Sequence, residues 1–119
     1  MGDSNIVLAG NENNNTYNIH AFLWEKGRIR DLSSLEACLN SYARAINDYK
    51  QIVGFACNNE KQKAVLWHQN KIYDLNRLIV QNHDWILSEA QDINNKGEII
   101  GTGMYQGKQR GFLLKPISR

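Results

Sequence analysis

His20-Ala21-Phe22-Leu23-Trp24, followed by Gly27-x-Ile29-x-Asp31-Leu32, returns later in the chain as Lys63-Ala64-Val65-Leu66-Trp67 and Lys71-Ile72-Tyr73-Asp74-Leu75. A third, partial copy reads Arg110-Gly111-Phe112-Leu113-Leu114. A second block repeats in step with the first. Ala45-Ile46-Asn47-Asp48-Tyr49-Lys50-Gln51-Ile52-Val53-Gly54 returns as Asp92-Ile93-Asn94-Asn95-Lys96-Gly97-Glu98-Ile99-Ile100-Gly101. The two tryptophans lie 67 − 24 = 43 residues apart and the two glycines 101 − 54 = 47. Such a period marks a propeller blade or solenoid unit, each too small to bury its apolar face alone.

Within each copy the apolar period is two, which argues strand. Phe22 and Trp24 alternate with Leu23, and Val65 and Trp67 alternate with Leu66. Ile52-Val53 and Ile99-Ile100 are β-branched pairs leading into glycine. Asn47–Lys50 and Asn94–Gly97 read as hairpin turns, because Asn, Asp and Gly tolerate the positive φ of a tight reversal. Lys50 stands where the later copy has Gly97, so the central turn carries strain or takes another form.

Four strands per unit follow, named a to d. The central unit places them near 42–47, 51–57, 62–67 and 70–74. The first unit has b, c and d near 5–10, 17–24 and 27–31, with an Asn-rich loop 11–16 between b and c. The last has a, b and c near 90–94, 98–104 and 109–115. Trp85 thereby falls in a long connection, 76–89. Ser33 and Glu36, with Leu35, Leu39 and Tyr42 at helical spacing, predict a turn of helix between the first and second units.

The His-Ala-Phe-Leu-Trp copy, the Gly/Lys-x-Ile-x-Asp-Leu tail and Ala45–Asp48 leading into Gln51–Gly54 resemble the HAF repeat, over roughly residues 5 to 115. That family occurs mostly in bacterial, often exported, proteins. The resemblance implies stacked β units of propeller-like type, allows an extracellular setting, and brings no catalytic residue. Departures grow along the chain: Lys63-Ala64-Val65 and Arg110-Gly111-Phe112 replace His-Ala-Phe, and Leu114 replaces the tryptophan.

The fold expected is all-β: one domain, residues 1–119, of four-stranded antiparallel units spanning about 1–32, 33–75 and 76–119. It reads as a partial β-propeller of about 2.5–3 blades. A ring needs about four to eight blades, so oligomerisation would close it, two chains giving five or six. The open edge strands predict a homodimer. A β-trefoil is the competing architecture, and a piece of a larger array of such units is the third reading.

Composition excludes several function classes. The net charge of +2 is interspersed, without the basic cluster that nucleic-acid binding shows. No apolar run approaches a membrane helix, and Met1–Asn5 has no signal-peptide pattern. His20, His68 and His83 fall in different units with no carboxylate spacing to gather them on a metal, and no cofactor motif is present. Gly101-x-Gly103 lacks the remainder of a dinucleotide fingerprint. Asp31 and Asp74 recur at strand ends, as turn-forming residues do.

Cys57 reads as a small apolar strand residue and Cys38 as part of a connection, with a disulfide between them the other reading. Asn14-Asn15-Thr16 is a glycosylation sequon. Trp24 and Trp67 share one repeat position, which suits packing between units. Trp85 has no counterpart and lies beside His83 and Asp84, so these three are the candidate ligand-binding residues. No catalytic set emerges. The leading expectation is a non-enzymatic repeat module for protein interaction or scaffolding, and the second is a carbohydrate-binding module.

Overall fold

A computed structural model describes residues 4–13, 16–32, 35, 40–57, 62–79 and 84–117, with side-chain surroundings from residue 21 onward. Ten strands stand among these residues. They are β1 (Ser4–Asn13), β2 (Thr16–Glu25), β3 (Arg28–Asp31), β4 (Ser41–Ile46), β5 (Ile52–Ala56), β6 (Lys63–His68), β7 (Lys71–Asp74), β8 (Trp85–Ile93), β9 (Ile99–Tyr105) and β10 (Lys108–Leu114). They form three antiparallel sheets, ordered β1-β2-β3, β4-β5-β6-β7 and β8-β9-β10. The all-β reading and the division of strands between the units hold.

The middle sheet is covered on both faces, and the period-two alternation decides which side chain goes to which face. Ile52, Val65, Trp67 and Ala43 point to the first sheet and pack with Ala21, Leu23 and Leu32. Val53 and Ala64 point the other way, into a second cluster with Leu87, Ala90, Ile93, Ile99 and Phe112 of the third sheet. Ile52 and Val53 are therefore neighbours in sequence buried in different cores. Strands buried on both faces read as unbroken apolar runs, as Ile52–Ala56 does.

Three details depart from the sequence expectation. The Asn-rich stretch begins inside a hairpin: β1 runs to Asn13, which pairs with Thr16. A backbone ladder needs no apolar side chains, so polar composition concealed these pairs. Strand β8 starts at Trp85, well before residue 90, because its alternation is broken twice. Register shifts lie between Leu87 and Glu89 and between Ala90 and Asp92. Each shift carries an extra residue on β8. Trp85, Leu87, Ala90 and Ile93 thereby reach one face despite irregular spacing. Tyr42 belongs to β4 rather than to a helical turn, and its ring stacks on Phe55 at 4.5 Å. Ser33, Glu36 and Leu39 lie outside the described residues, as do Asn14 and Asn15. Among the described residues a turn of 3-10 helix stands at Leu75–Arg77, after β7.

The hairpins follow the φ argument. Gln69-Asn70 and Lys26-Gly27 join their strands with positive φ at both residues, the two-residue turn that matches strand twist. Lys50 adopts φ 62° where Gly97 adopts 79°, so the lysine accepts the left-handed conformation. Cys57, just beyond β5, is disulfide-bonded, which corrects its reading as a free apolar residue. The chain has one other cysteine, Cys38, outside the described residues.

Gly54 is fixed by backbone proximity. A Cβ there would lie 1.8 Å from the carbonyl oxygen of Tyr42, and one at Gly101 would lie 2.0 Å from that of Glu89. Both glycines sit opposite an irregular stretch of the neighbouring strand, where the backbone crowds in. Gly103 is the same case, 2.3 Å from the Ile86 oxygen, so the Gly101-x-Gly103 pair is explained by sheet packing. Gly54→Ala is expected to cost about 3 kcal/mol or more, read as a lowered urea midpoint, because backbone cannot yield as a side chain can.

Candidate functional site

Of the three residues singled out in the sequence, Trp85 and Asp84 are described, and both contact the β9–β10 hairpin. Trp85 is half-buried, its ring 5.1 Å from Tyr105 and edge-on to Phe112 at 6.4 Å, closing one end of the second core. Asp84 is exposed and tied to the β9–β10 turn. Its backbone oxygen accepts from the Gln106 amide at 3.3 Å and its carboxylate from Gln106 Nε2 at 3.0 Å. His83 lies outside the described residues. Among the described residues no group of three His, Cys, Asp or Glu side chains gathers as metal ligands do. No helix among them is long and apolar enough to cross a membrane.

The repeated asparagine turns are built identically. Asn47 Oδ1 accepts from the amides of Tyr49 and Gln51, each at 3.0 Å. Asn94 Oδ1 accepts from Lys96 at 3.0 Å and Glu98 at 2.9 Å. The two turns then join. Asn47 Nδ2 donates to the Asn94 carbonyl at 3.0 Å, the Asp48 amide donates to Asn95 Oδ1 at 2.8 Å, and Asn95 Nδ2 returns to Asp48 Oδ2 at 2.9 Å. Residues 47 apart in sequence thus lie side by side and lock the second unit to the third.

Asn76 makes a second lock that sequence reading missed. Asp74 Oδ1 accepts from its amide at 2.9 Å, which bears out Asp74 as a turn former. The Asn76 side chain then acts as a strand edge for Leu87, accepting from its amide at 2.7 Å and donating to its carbonyl at 2.9 Å. Nothing local marked Asn76, because its partner lies across a connection. Asp31 ends β3 and is exposed.

A cleft of about 350 Å³ opens between the first and middle sheets. Leu23, Leu32, Ile52 and Trp67 form its floor; Arg30, Tyr49, Lys50 and Lys71 stand on its rim. Lys50 pairs there with Glu25 of the first sheet. His68 lines the cleft, and its Nδ1 is buried without a hydrogen-bond partner. At the corresponding point between the middle and third sheets, a Cβ on Gly97 would meet Pro116 at 3.1 Å. The repeat keeps the scaffold and varies what lines this gap.

The outer faces of the stack carry exposed apolar side chains. On the first sheet Trp24 is 37% exposed and Ile29 63%, and they pair across β2 and β3. On the third sheet Ile100 is 48% exposed and Leu113 55%, and they pair across β9 and β10.

Comparison with known proteins gives no match: no family model matches the chain, and neither a curated protein nor a solved structure is detected as similar.

The two asparagine turns should not be equal in stability. Asn47 is buried and bridges units, whereas Asn94 is exposed and bonds by its side chain within its own turn. Asn47→Ala is expected to cost about 2 kcal/mol and Asn94→Ala about 1 kcal/mol, compared by equilibrium denaturation.

Proposed function

We propose that this chain is a non-enzymatic β-repeat module of the HAF type, a propeller-like scaffold that assembles with a second copy and offers its loop-lined clefts for recognition. The observation that carries this reading is unequal exposure at equivalent positions. Trp67 is 3% exposed inside the stack, and its counterpart Trp24 is 37% exposed at the end. Val53 is fully buried, and its counterpart Ile100 is 48% exposed. The middle unit is covered on both faces, whereas the first and third each present one face with exposed apolar side chains. The edge strands that the sequence nominates for self-association border those faces. Light scattering is expected to give twice the 13.7 kDa of one chain. A single-chain mass at micromolar concentration removes the assembly, and an open-ended distribution removes the closed scaffold.

A carbohydrate-binding reading draws support from the cleft. Tyr49 is 67% exposed on its rim, so an aromatic face is free beside polar groups of Arg30, His68, Gln69 and Asn70. Sugars bind where a ring can stack and nearby polar groups can bond the hydroxyls. A glycan-dependent change in tryptophan fluorescence, through Trp67 beneath the cleft, is the expected signal. It should vanish in Tyr49→Ala and survive in Trp85→Ala. The reverse pattern returns the site to Trp85, His83 and Asp84.

A further inference from the structure

We infer that the second copy docks head to tail: the outer face of the third sheet of one chain covers the outer face of the first sheet of the other, and two such contacts close a ring of six sheets. This rests on the assembly proposed above and specifies which surfaces meet.

The two contacts inside the chain supply the template. Call the face carrying the tryptophan position the front of each sheet, and the opposite face its back. The middle sheet's front, with Val65, Trp67 and Ile72, packs on the back of the first sheet, with Ala21 and Leu23. The third sheet's front, with Ile99, Phe112 and Leu114, packs on the back of the middle sheet, with Val53, Ala64 and Leu66. Both contacts are front on back, one unit onward. Neither joins like to like.

What remains uncovered is one front and one back. The free front belongs to the first sheet: Phe22, Trp24 and Ile29 hold the positions of Val65, Trp67 and Ile72. Strand pairing confirms the equivalence, because Trp24 pairs with Ile29 as Trp67 pairs with Ile72. The free back belongs to the third sheet: Ile100, Gly111 and Leu113 hold the positions of Val53, Ala64 and Leu66. Here Leu113 pairs with Ile100 as Leu66 pairs with Val53. A shallow groove of about 240 Å³, lined by Ile93, Ile100 and Leu113 with Asp92, Asn94 and Glu98 around them, marks this back. Each contact needs a front and a back, and each chain presents one exposed front and one exposed back.

A front-on-back contact is heterologous, so it either closes or runs on as a fibre. Three sheets from each of two chains make six, inside the range of about four to eight that propeller rings use. A second copy satisfies both ends at once.

The test uses the full chain with charge placed on exposed positions, where folding tolerates it. Ile29→Lys alters only the free front and Leu113→Glu only the free back, at 63% and 55% exposure. In a head-to-tail pair of either variant, both contacts contain one unpaired buried charge, and each weakens by about a hundredfold. Each variant alone should therefore run as one chain, with the far-UV circular dichroism of the parent. An equal mixture should regain the doubled mass as a one-to-one complex. One contact in that complex is native, and the other sets Lys against Glu.

The outcomes separate the two ideas. A wild-type chain that is monomeric ends the assembly itself. A wild-type dimer whose Ile29→Lys variant still dimerises fully would mean that backs meet backs, and full dimerisation of Leu113→Glu that fronts meet fronts. Either overturns the head-to-tail arrangement alone. It falls as well if the two variants stay apart when mixed.

Discussion

Burial of consecutive residues on opposite faces of one strand is the constraint on which this structure depends. Ile52 is 1% exposed and Val53 fully buried, and they belong to different cores. A four-stranded sheet with two apolar faces cannot stand in water, since each face needs a layer roughly its own size. The first and third sheets are those layers. They have the same composition pattern as the sheet they cover, so each brings an apolar face of its own to the outside. The stack solves the problem for its middle member and passes it to the ends.

Apolar layers alone would slide, because such contacts are not directional. Polar side chains set the register here. The amide of Asn47 reaches the carbonyl of Asn94, and the amide of Asn76 substitutes for a strand beside Leu87. The Arg44 guanidinium pairs with Glu89 at 3.0 Å while lying over the Phe55 ring. These join the middle sheet to the third, at separate points. Backbone crowding adds to them: Gly54 and Gly101 admit a neighbouring carbonyl where any side chain would exclude it. The repeated glycines and asparagines are thus spacing devices, and their recurrence in sequence records the recurrence of one packing geometry.

Much of the fold was legible because strand alternation and turn chemistry are local. The pair Ile52-Val53, the tryptophan positions and the asparagine turns each declared themselves within a few residues, including the awkward φ of Lys50. Strand β8 was less legible, since two bulges shift its alternation and break the period from which strands are read. The β1–β2 hairpin was extended by backbone pairing through Asn11–Asn13, which leaves no apolar trace. Trp85 stood out because it has no repeat partner, and the rings it meets, Tyr105 and Phe112, belong to its own sheet. The cleft at His68 was hidden for another reason. Its walls come from β3, the β4–β5 turn and the β6–β7 turn, and no single stretch of sequence contains it.

Edges and faces differ as places for a partner to dock. An edge strand offers backbone groups that any chain can pair with, so it selects poorly. A face offers side chains at fixed spacing, and only a surface with matching projections fills it. In this chain the matching surface already exists, twice, in the contacts between its own sheets. Leu23 lies in one core with Trp67, and Leu113 holds the Leu23 position as Trp24 holds that of Trp67. Each kind of open face thus has its counterpart inside the chain, where a face of one unit packs on the opposite face of the next. Divergence between copies then falls where contacts permit it: in the cleft lining, where Gly97 and Lys115 of the next unit take the places of Lys50 and His68. A repeat that holds its faces constant and lets its gaps vary keeps one packing geometry while altering the chemistry of the clefts between units.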